Sequence, residues 1–366
     1  MEQVSYMETH NTKETHNTKE TANTKETHNT KETHNTKEPS NTKETHNTKE
    51  PSSTDEPPNT KEPLGDRMKR YENDIDCKII IKPCESYIIR LDGRSFSNFT
   101  KKFHKPFDIV FVKAMGFTTL DLVSKFEAQT GYTHSDEITL IFNSKCSESE
   151  YLKNLEYLKT QQNNLLSKDD NKFPSHMFNG RIQKILSLIS SYCSVRFNYH
   201  LEKIFEQVKE SYDSTFIEVI KSHEQMFDGR IMIFDESKRY EILNHQIWRS
   251  IYDCSRNAVS TYAYTYFSPN KIMNKNTNEM IQMIKDEKNI DWNDSIQVPL
   301  FLKYGLYCKK ILVEKTIGEN VAFRAEYVFK QHKINFSLEN LDILLNKYWD
   351  DMDTWGGQII LDELVI

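Results

Sequence analysis

A hexapeptide repeat at the start of the chain leaves only the later residues able to build a fold. From Thr9 onward the unit Thr-His-Asn-Thr-Lys-Glu recurs, with variants such as Pro-Ser-Asn-Thr-Lys-Glu. Each unit carries one Lys and one Glu but no apolar side chain, so it cannot offset the cost of about 1–2 kcal/mol for ordering each residue's backbone. We therefore expect residues 1–66 to be a disordered tail. Its five histidines would bind a metal only weakly, and a neutral low-complexity expansion is the better interpretation.

The rest of the chain, roughly 300 residues, is long enough for a substantial core. It has no apolar run near the ~20 residues that a membrane helix needs, and the N-terminus has no apolar signal region. The six cysteines are far apart and form no C-x-x-C pair, which argues against a disulfide scaffold or a zinc knuckle. Because the net charge is −6, a nucleic acid would need a local basic surface. We expect a soluble protein of the cytoplasm or another reducing intracellular compartment.

Short β-branched runs alternate with segments of helical period in this part of the chain. This order predicts an α+β domain with an antiparallel sheet, in a ferredoxin-like split βαβ arrangement with additional helices. The predicted strands are Ile79–Ile81, Tyr87–Leu91, Glu137–Phe142 and Arg230–Phe234, and the predicted helices are Pro106–Phe126, Arg181–His200, Glu241–Tyr266 and Lys271–Lys285.

Two acidic residues stand at the margins of hydrophobic strands. Asp92 follows Ile-Ile-Arg-Leu, and Asp136 precedes Glu137-Ile-Thr-Leu. If the strands are neighbours, the two carboxylates converge, and such hard oxygen ligands suit Mg²⁺ in phosphoryl chemistry. Each acid taken singly could be a mere turn or a solvated loop. Their shared context favours a site, because hydroxyls and cations accompany both of them (Ser95, Ser97, Ser135, Arg94 and Lys105).

Two neighbouring positions complete this prediction. Gly93 has no side chain, so its carbonyl oxygen could approach a metal. Glu137 directly follows Asp136, and adjacent side chains of a strand point to opposite faces. We therefore expect Asp136 to be the metal ligand and Glu137 to have a supporting catalytic role.

A basic cluster lies at the start of a predicted helix. Arg181 and Lys184 are three residues apart and share a helix face, one turn from Ser187. Two cations and a hydroxyl near a helix N-terminus can bind phosphate. The alternative is a solvated basic edge on an otherwise buried helix.

Taken together, these segments resemble the tRNA-histidine guanylyltransferase family, including its relatives that build RNA in the 3′-to-5′ direction. The resemblance extends from about Met68 to Lys310. The segments that carry it most clearly are Arg90–Ser97, Lys105–Asp108 with Met115, and Gly131–Ile138, with weaker support from Gly180–Lys184, Phe227–Ile231 and Trp248–Cys254.

The resemblance implies a polymerase-palm-like catalytic domain with GTP as substrate, ATP or GTP for activation of the RNA 5′ end, and two Mg²⁺ ions in each active site. The activated 5′ end of a tRNA is then attacked by the 3′-hydroxyl of GTP, with expulsion of pyrophosphate. By position, Asp92, the Gly93 carbonyl and Asp136 would hold the metals. The nucleotide would be bound by Asp92, Gly93, Arg94, Ser95, Phe96, Ser97, Lys105, Ser135, Asp136, Arg181, Lys184 and Ser187, and the RNA by Arg249, Arg256 and Asn257.

One departure from the family pattern bears on the reaction. Family members that act on tRNA-histidine continue His-Ile-Asn-Asn-Leu-Tyr-Asn after the Asp-Cys pair. This chain has Ser255 at the leading position, and only Asn257 keeps the chemistry of the motif. The pattern Asp-Cys-x-Arg-Asn looks more like the branch that repairs truncated tRNA 5′ ends on a template. Templated repair is therefore an alternative to strict addition of one untemplated G.

Two further alternatives stay open, a nucleotidyl cyclase and a non-catalytic RNA-binding module. A requirement for a polynucleotide would exclude the cyclase, and the presence of both Asp92 and Asp136 argues against a decayed site. We expect Trp248 and Trp349 to be packing residues. Residues 67–200 are expected to be the palm-like domain, 201–310 the rest of the guanylyltransferase domain with its helical tRNA-contacting part, and 311–366 an extension of unassigned role. The family is often tetrameric, so a homotetramer is possible.

Overall fold

The computed structural model describes residues 63–76, 79–161, 174–317, 320–349 and 355–364. The repeat tail predicted for residues 1–66 therefore lies almost wholly outside the described residues. The first described element is helix α1, Leu64–Asp76, so helical structure begins two residues before the predicted end of the tail.

Helices and antiparallel strands alternate along the rest of the described chain. The helices after α1 are α2 Phe96–Phe99, α3 Ile109–Phe126, α4 Glu148–Gln161, α5 Ile182–Phe205, α6 Ser214–Lys221, α7 Glu241–Ile247, α8 Ser255–Tyr266, α9 Pro269–Ile272, α10 Thr277–Lys288, α11 Leu300–Tyr304 and α12 Leu338–Leu345. The strands are β1 Ser86–Gly93, β2 Thr130–His134, β3 Glu137–Phe142, β4 Phe227–Phe234, β5 Leu306–Ile317, β6 Asn320–Gln331, β7 Tyr348–Trp349 and β8 Gly357–Ile359.

The first four strands form the split βαβ arrangement predicted from the sequence. Their order in the sheet is β4-β1-β3-β2, and all three neighbouring pairs are antiparallel. Helix α3 connects β1 to β2, and α5 lies between β3 and β4 in the chain. This connectivity is that of a ferredoxin-like domain, so the prediction of an α+β fold of this type is confirmed.

The sheet continues into the C-terminal part of the chain. The long hairpin of β5 and β6 adds to the edge at β2, and β8 pairs with β6. The two-residue strand β7 runs parallel to β5. The predicted boundary between residues 310 and 311 therefore falls inside β5, and the extension shares the sheet of the catalytic unit.

The two faces of β1 carry different side chains because residues of a strand alternate between faces. Tyr87, Ile89 and Leu91 pack into the core that includes residues of α3 and α5. Ile88 packs into a second core with residues of α7 and α12. By alternation, Asp92 lies on the face of Ile88, away from α3 and α5, at the end of the strand.

Several element predictions need correction. Residues Ile79–Ile81 do not form a strand, and only Ile80 makes an isolated bridge, to Arg181. The helix predicted over Lys271–Lys285 is divided into α9 and α10, because the Asn276 side chain caps a new helix start with Glu279. Strand β4 is an edge strand, and the predicted stretch Arg230–Phe234 is only partly buried or exposed.

The segment Glu241–Tyr266 is helical throughout, as predicted. Between α7 and α8 it contains a π-helical segment, Trp248–Cys254. A π-helical insertion of this kind is rare and often marks a functional site. None of the helices that the structure describes combines the length and the apolar character needed to cross a bilayer.

Candidate active site

Asp92, Gly93 and Asp136 come together at one corner of the sheet. In the sheet register Asp92 lies opposite Glu137 on β3 and opposite Asp228 on β4. The Gly93 N–H donates to the Asp136 carbonyl at 3.0 Å. The end of β1 and the turn between β2 and β3 are thereby joined, which places the Asp92 and Asp136 carboxyls close enough to interact electrostatically.

The turn that carries Asp136 is held in an uncommon backbone conformation. Only Ser135 and Asp136 separate β2 from β3, and Ser135 has a φ of 50°, in the left-handed region. Tight hairpin turns of this length require positive φ. The Ser135 hydroxyl also donates to Asp136 Oδ1 at 3.0 Å. This local geometry projects the Asp136 carboxylate beyond the paired strands.

The two carboxylates lack full compensation by positive charge. Burial raises the pKa of Asp92, and the nearby Glu137 and Asp228 raise it further, against the lowering effect of Arg90. Burial is also the main cause that raises the pKa of Asp136. Within the described chain, no cation forms an ion pair with Asp136. A site with excess negative charge of this kind favours a bound cation.

The donor set fits Mg²⁺. The carboxylates of Asp92 and Asp136 and the Gly93 carbonyl offer hard oxygen ligands at one corner. The described ranges contain no group of three or more His, Cys, Asp or Glu residues that could hold a metal ion. Substrate phosphates and water would therefore complete the coordination, as is usual for Mg²⁺.

Glu137 is engaged by two arginines. Arg90 on β1 and Arg249 on the π-helical segment each pair with one oxygen of its carboxylate. Arg90 also donates to Asp92 Oδ2 at 2.9 Å. Glu137 thereby fixes the positions of the two guanidinium groups beside Asp92, and its supporting catalytic role stays a prediction.

The ion pairs extend from Glu137 onto the helical face. Arg249 lies 2.9 Å from Asp253, which in turn pairs with Arg256 at 2.6 Å. Only 12% of the Arg249 side chain is exposed, whereas 59% of the Arg256 side chain is exposed. The Arg249 guanidinium is thus engaged by Glu137 and Asp253, and its expected contact with RNA stays a prediction. Arg256 keeps an accessible guanidinium.

A cavity of about 590 Å³ opens beside Asp136. Lys105 lines it, with its ammonium donating to the Thr100 carbonyl at 2.8 Å. Burial lowers the pKa of Lys105. The predicted residues Ser97, Ser135 and Asn257 also line this cavity, together with Thr100, Ser260, Thr261, Tyr264 and Thr265. The hydroxyls of α8 were not predicted from the sequence, because only the packing of this helix places them at the cavity.

The loop after β1 shows why two of its predicted residues have different surroundings. A Cβ atom at Gly93 would lie 2.5 Å from the ring of Phe96, so glycine permits their close approach. Phe96 is 2% exposed and belongs to the core. Its side chain therefore packs into the core beneath the loop, and its expected place in the nucleotide site stays a prediction. Arg94 and Ser95 are exposed, and the Arg94 N–H donates to the Met226 carbonyl at 2.8 Å.

The predicted basic cluster lies at the other end of β1. Arg181 forms the bridge with Ile80, and Lys184 lies over the ring of Phe178 at 5.3 Å. The Ser187 hydroxyl donates within its own helix. This region packs near the start of β1, where the His176 ring contacts Tyr87. Tyr87 and Asp92 are five residues apart, which corresponds to roughly 17 Å along a strand. The described contacts do not bring this cluster to the carboxylates.

Two partly buried histidines near the ion pairs, each with one buried ring nitrogen, were not predicted. His134 ends β2, and burial lowers its pKa to about 4. His245 lies on α7, and burial together with the neighbouring Arg249 and Arg90 lowers its pKa to about 4. Both are therefore neutral at neutral pH. His134 belongs to the Gly131–Ile138 motif, but the sequence does not show that its ring is buried.

The chain is similar to one family model and to one curated relative. The family model of tRNAHis guanylyltransferase (Thg1) matches residues 65–235. An uncharacterized protein of Acanthamoeba polyphaga mimivirus, R259, is 42% identical over 287 residues, which cover 78% of this chain and 90% of the relative.

Two solved structures are also similar. A bacterial tRNA(His) guanylyltransferase-like protein in complex with ATP is 26% identical, covers 72% of this chain and 92% of its own, and superimposes with a TM-score of 0.50. A bacterial protein of the same description in complex with GTP is 24% identical, covers 77% and 98% of the two chains, and has a TM-score of 0.48.

Proposed function

Because this chain belongs to the tRNAHis guanylyltransferase family, we propose that it adds nucleotides to the 5′ end of a tRNA in the 3′-to-5′ direction, with GTP as the incoming nucleotide. It is a nucleotidyltransferase of the tRNA guanylyltransferase type. The observation that carries the proposal is that Asp136, whose carboxyl is close enough to Asp92 for the charge of Asp92 to raise its pKa, lines a cavity of about 590 Å³.

In this proposal the chain's own groups position the reactants. Asp92, Asp136 and the Gly93 carbonyl would hold Mg²⁺, with two ions expected in each active site. Bound there, Mg²⁺ would activate the attacking hydroxyl and stabilise charge on the leaving oxygen. Lys105 faces the cavity with a cation that can contact the triphosphate, while Ser97, Ser135 and Asn257 offer hydrogen bonds to the nucleotide. Phosphoryl transfer depends mainly on such positioning and charge stabilisation.

The chemical step joins the 3′-hydroxyl of GTP to the 5′ end of the tRNA, so the RNA grows in the 3′-to-5′ direction. The 5′ phosphate of the tRNA is first activated with ATP or GTP, which transfers a nucleotidyl group to it and releases pyrophosphate. The 3′-hydroxyl of the incoming GTP then attacks the tRNA 5′ phosphorus, a 3′–5′ phosphodiester bond forms, the nucleoside monophosphate leaves, and the hydroxyl proton passes to solvent. Glu137 acts as a positioning residue here, because its pairs with Arg90 and Arg249 fix the charges beside Asp92.

Template-dependent repair is the form of the reaction that the sequence favours. Ser255 replaces the leading histidine of the family motif, and Arg256 and Asn257 follow it. Asn257 lines the cavity, and Arg256 presents an exposed cation near it. We propose that the chain extends a truncated 5′ end opposite a template base. The role of Arg181, Lys184 and Ser187 in binding triphosphate stays a prediction, as do a homotetramer and a reducing intracellular location.

Single-turnover addition of labelled GTP to two RNAs tests this proposal. One RNA is intact tRNA-histidine with a 5′-monophosphate, and the other is a tRNA that lacks its first nucleotide opposite a C. Addition only to the truncated RNA is the expected result. Comparable addition to the intact RNA would show that the enzyme adds an untemplated G and would contradict templated repair. A folded protein that transfers nothing to either RNA would refute the proposed function.

A further inference from the structure

Two aromatic side chains are exposed beside the proposed catalytic corner. Trp248 and Tyr252 are each 54% exposed, and their rings stack with centroids 6.0 Å apart and planes at 27°. Trp248 is thus not a core residue, whereas Trp349 is 4% exposed. Large aromatic side chains usually bury most of their surface, so an exposed stacked pair indicates a binding surface.

The pair belongs to a longer row of side chains on one face of the helical segment. Trp248 and Tyr252 are four residues apart within the π-helical stretch, and a π turn takes up more residues than an α turn. Residues at intervals of four therefore stay close to one face. The same interval continues through Arg256 and Ser260 to Tyr264. We call these five residues the aromatic strip.

One end of the aromatic strip reaches the proposed nucleotide site. Ser260 and Tyr264 line the 590 Å³ cavity together with Asp136. Tyr264 is 64% exposed, so its ring remains accessible. Trp248 and Tyr264 are sixteen positions apart, roughly 24 Å at the helical rise. The strip thus provides a path from the cavity along the outside of the helix.

The position of the strip relative to the carboxylates is fixed by its neighbours. Arg249, adjacent to Trp248, binds Glu137 on the sheet. Asp253, adjacent to Tyr252, pairs with both Arg249 and Arg256. These ion pairs hold the π-helical segment against Glu137 at the start of β3. The exposed rings of Trp248 and Tyr252 lie on the side of the segment away from β3.

The chemistry of the strip suits unpaired nucleobases. It carries an exposed guanidinium and contains no carboxylate, and its rings have polar edges in an indole N–H and two phenolic hydroxyls. Flat aromatic surfaces beside a cation stack with bases and contact phosphates, and such stacking tolerates any base. We propose that the aromatic strip binds the unpaired nucleotides at the end of the tRNA acceptor stem, with a base stacked on Trp248 and Tyr252. This inference rests on the proposed function and names how the RNA is held.

Tryptophan fluorescence provides a direct test. The chain has four tryptophans, and Trp292, Trp349 and Trp355 are only 7%, 4% and 4% exposed. Acrylamide therefore quenches mainly Trp248. The full chain is titrated with an acceptor-stem hairpin RNA that keeps its unpaired end, and with the same hairpin trimmed to a blunt end. The unpaired end should shield Trp248 from acrylamide, and the blunt hairpin should not.

Two results of this experiment would overturn the inference. Equal shielding by both hairpins, or no shielding by an RNA that filter binding shows to be bound, would mean that no unpaired base stacks there. Shielding that rises with protein concentration in the absence of RNA would identify the strip as a contact between protein chains.

Variants separate this inference from the proposed function. Trp248→Ala should raise the Kd for the hairpin with an unpaired end by about 5- to 100-fold, the range for loss of one stacked base. Trp248→Phe should restore most of the binding, and the KM for GTP should not change in either variant. Tyr71→Ala is the matched control, because Tyr71 is also 54% exposed but lies on α1.

Normal RNA binding by a folded Trp248→Ala chain would overturn the inference even if the enzyme transfers GTP as proposed. Conversely, binding that depends on Trp248 without any nucleotide transfer would refute the proposed reaction and leave the inference standing.

Discussion

The sequence predicts two charged clusters. They lie near opposite ends of strand β1 and have different surroundings. At the end near Asp92, acids from β1 and the β2–β3 turn meet beside a cavity. At the start of the strand, Arg181 and Lys184 pack locally around the segment before β1. Two strands that pair directly fix their ends together, whereas a helix start is positioned by how the helix crosses the sheet. The acidic end is therefore the stronger candidate for the chemistry.

Removing either carboxylate at the acidic end should have the largest effect. Asp92→Asn or Asp136→Asn keeps the side-chain volume but removes a charge, and we expect the single-turnover rate to fall by about 10³-fold or more. Asp228→Asn is the matched control, since Asp228 lies opposite Asp92 but is 55% exposed. Its rate should stay within about threefold because solvent screens its charge. A rate for Asp136→Asn close to that of the control would contradict the assignment.

Neutralising Glu137 should have the next largest effect. Glu137→Gln leaves Arg90 and Arg249 each without their shared counter-charge. We expect the rate to fall by about 10- to 100-fold and the free energy of unfolding to fall by about 1–3 kcal/mol. Urea unfolding and single-turnover kinetics measure the two effects. An unchanged rate with lowered stability would show that the ion pairs serve only the fold.

The two ends of β1 can be compared directly through one lysine at each. Lys105→Ala should raise the KM for GTP by about tenfold, because its ammonium is beside the cavity. Lys184→Ala tests whether the basic cluster also binds triphosphate, and it should change this KM less than Lys105→Ala does, because Lys184 lies over the Phe178 ring near the start of the strand. A rise in KM for Lys184→Ala equal to that for Lys105→Ala would show that the two clusters bind one triphosphate.

The acidic end should also control the pH dependence. Since the pKa values of Asp92 and Asp136 are raised, these carboxyls take up protons at a higher pH than ordinary carboxyls, and a protonated carboxyl binds Mg²⁺ poorly. At limiting Mg²⁺, kcat/KM should fall as the pH is lowered through the raised pKa values. Excess Mg²⁺ should move this acid limb to lower pH.

Asp228→Asn provides a second test of that pH profile. Asp228 raises the pKa of Asp92, so its removal should also move the acid limb to lower pH. An acid limb that responds neither to Mg²⁺ nor to Asp228→Asn would assign the titration to other groups.

The smallest expected effect is on stability. A carboxyl whose folded pKa lies above its unfolded value destabilises the fold at neutral pH, and this penalty vanishes as the pH falls through the raised pKa. In the absence of divalent metal, Asp136→Asn should therefore raise the unfolding midpoint at pH 7 by about 1–3 °C. The difference should shrink at about pH 4. A variant less stable than the wild type at pH 7 would show that the Asp136 carboxylate supports the fold.

The sequence predicts the acidic end well for a physical reason. The strand Glu137–Phe142 has the predicted bounds, and β1 extends the predicted Tyr87–Leu91 by one residue at its start and two at its end. A turn that leaves only Ser135 and Asp136 between strands brings chain neighbours together without any long-range information. Convergence of Asp92 and Asp136 also required β1 and β3 to be neighbours, a condition that the sequence left open and that the sheet order supplies.

Other parts of the site depend on tertiary packing. The hydroxyls of Ser260 and Thr261 line the cavity only because α8 packs beside the β2–β3 turn that carries Ser135 and Asp136. Strands β5 and β6 were not predicted from the sequence, because buried lysines interrupt their apolar pattern. Lys309 is 0% exposed, and its ammonium contacts Thr130 at 3.2 Å and the carbonyls of Ile343 and Asn346. Sequence periodicity does not distinguish such a lysine from a solvated one.

Binding of Mn²⁺, as a spectroscopic substitute for Mg²⁺, tests the central claim most directly. The free ion gives an electron paramagnetic resonance signal that decreases on binding, so the wild type and Asp136→Asn can be titrated in the presence of GTP. We predict that the wild type binds Mn²⁺ in a GTP-dependent manner and that Asp136→Asn binds it at least about tenfold more weakly. Equal GTP-dependent binding by the two proteins would contradict the claim that Asp136, together with Asp92, holds the catalytic metal.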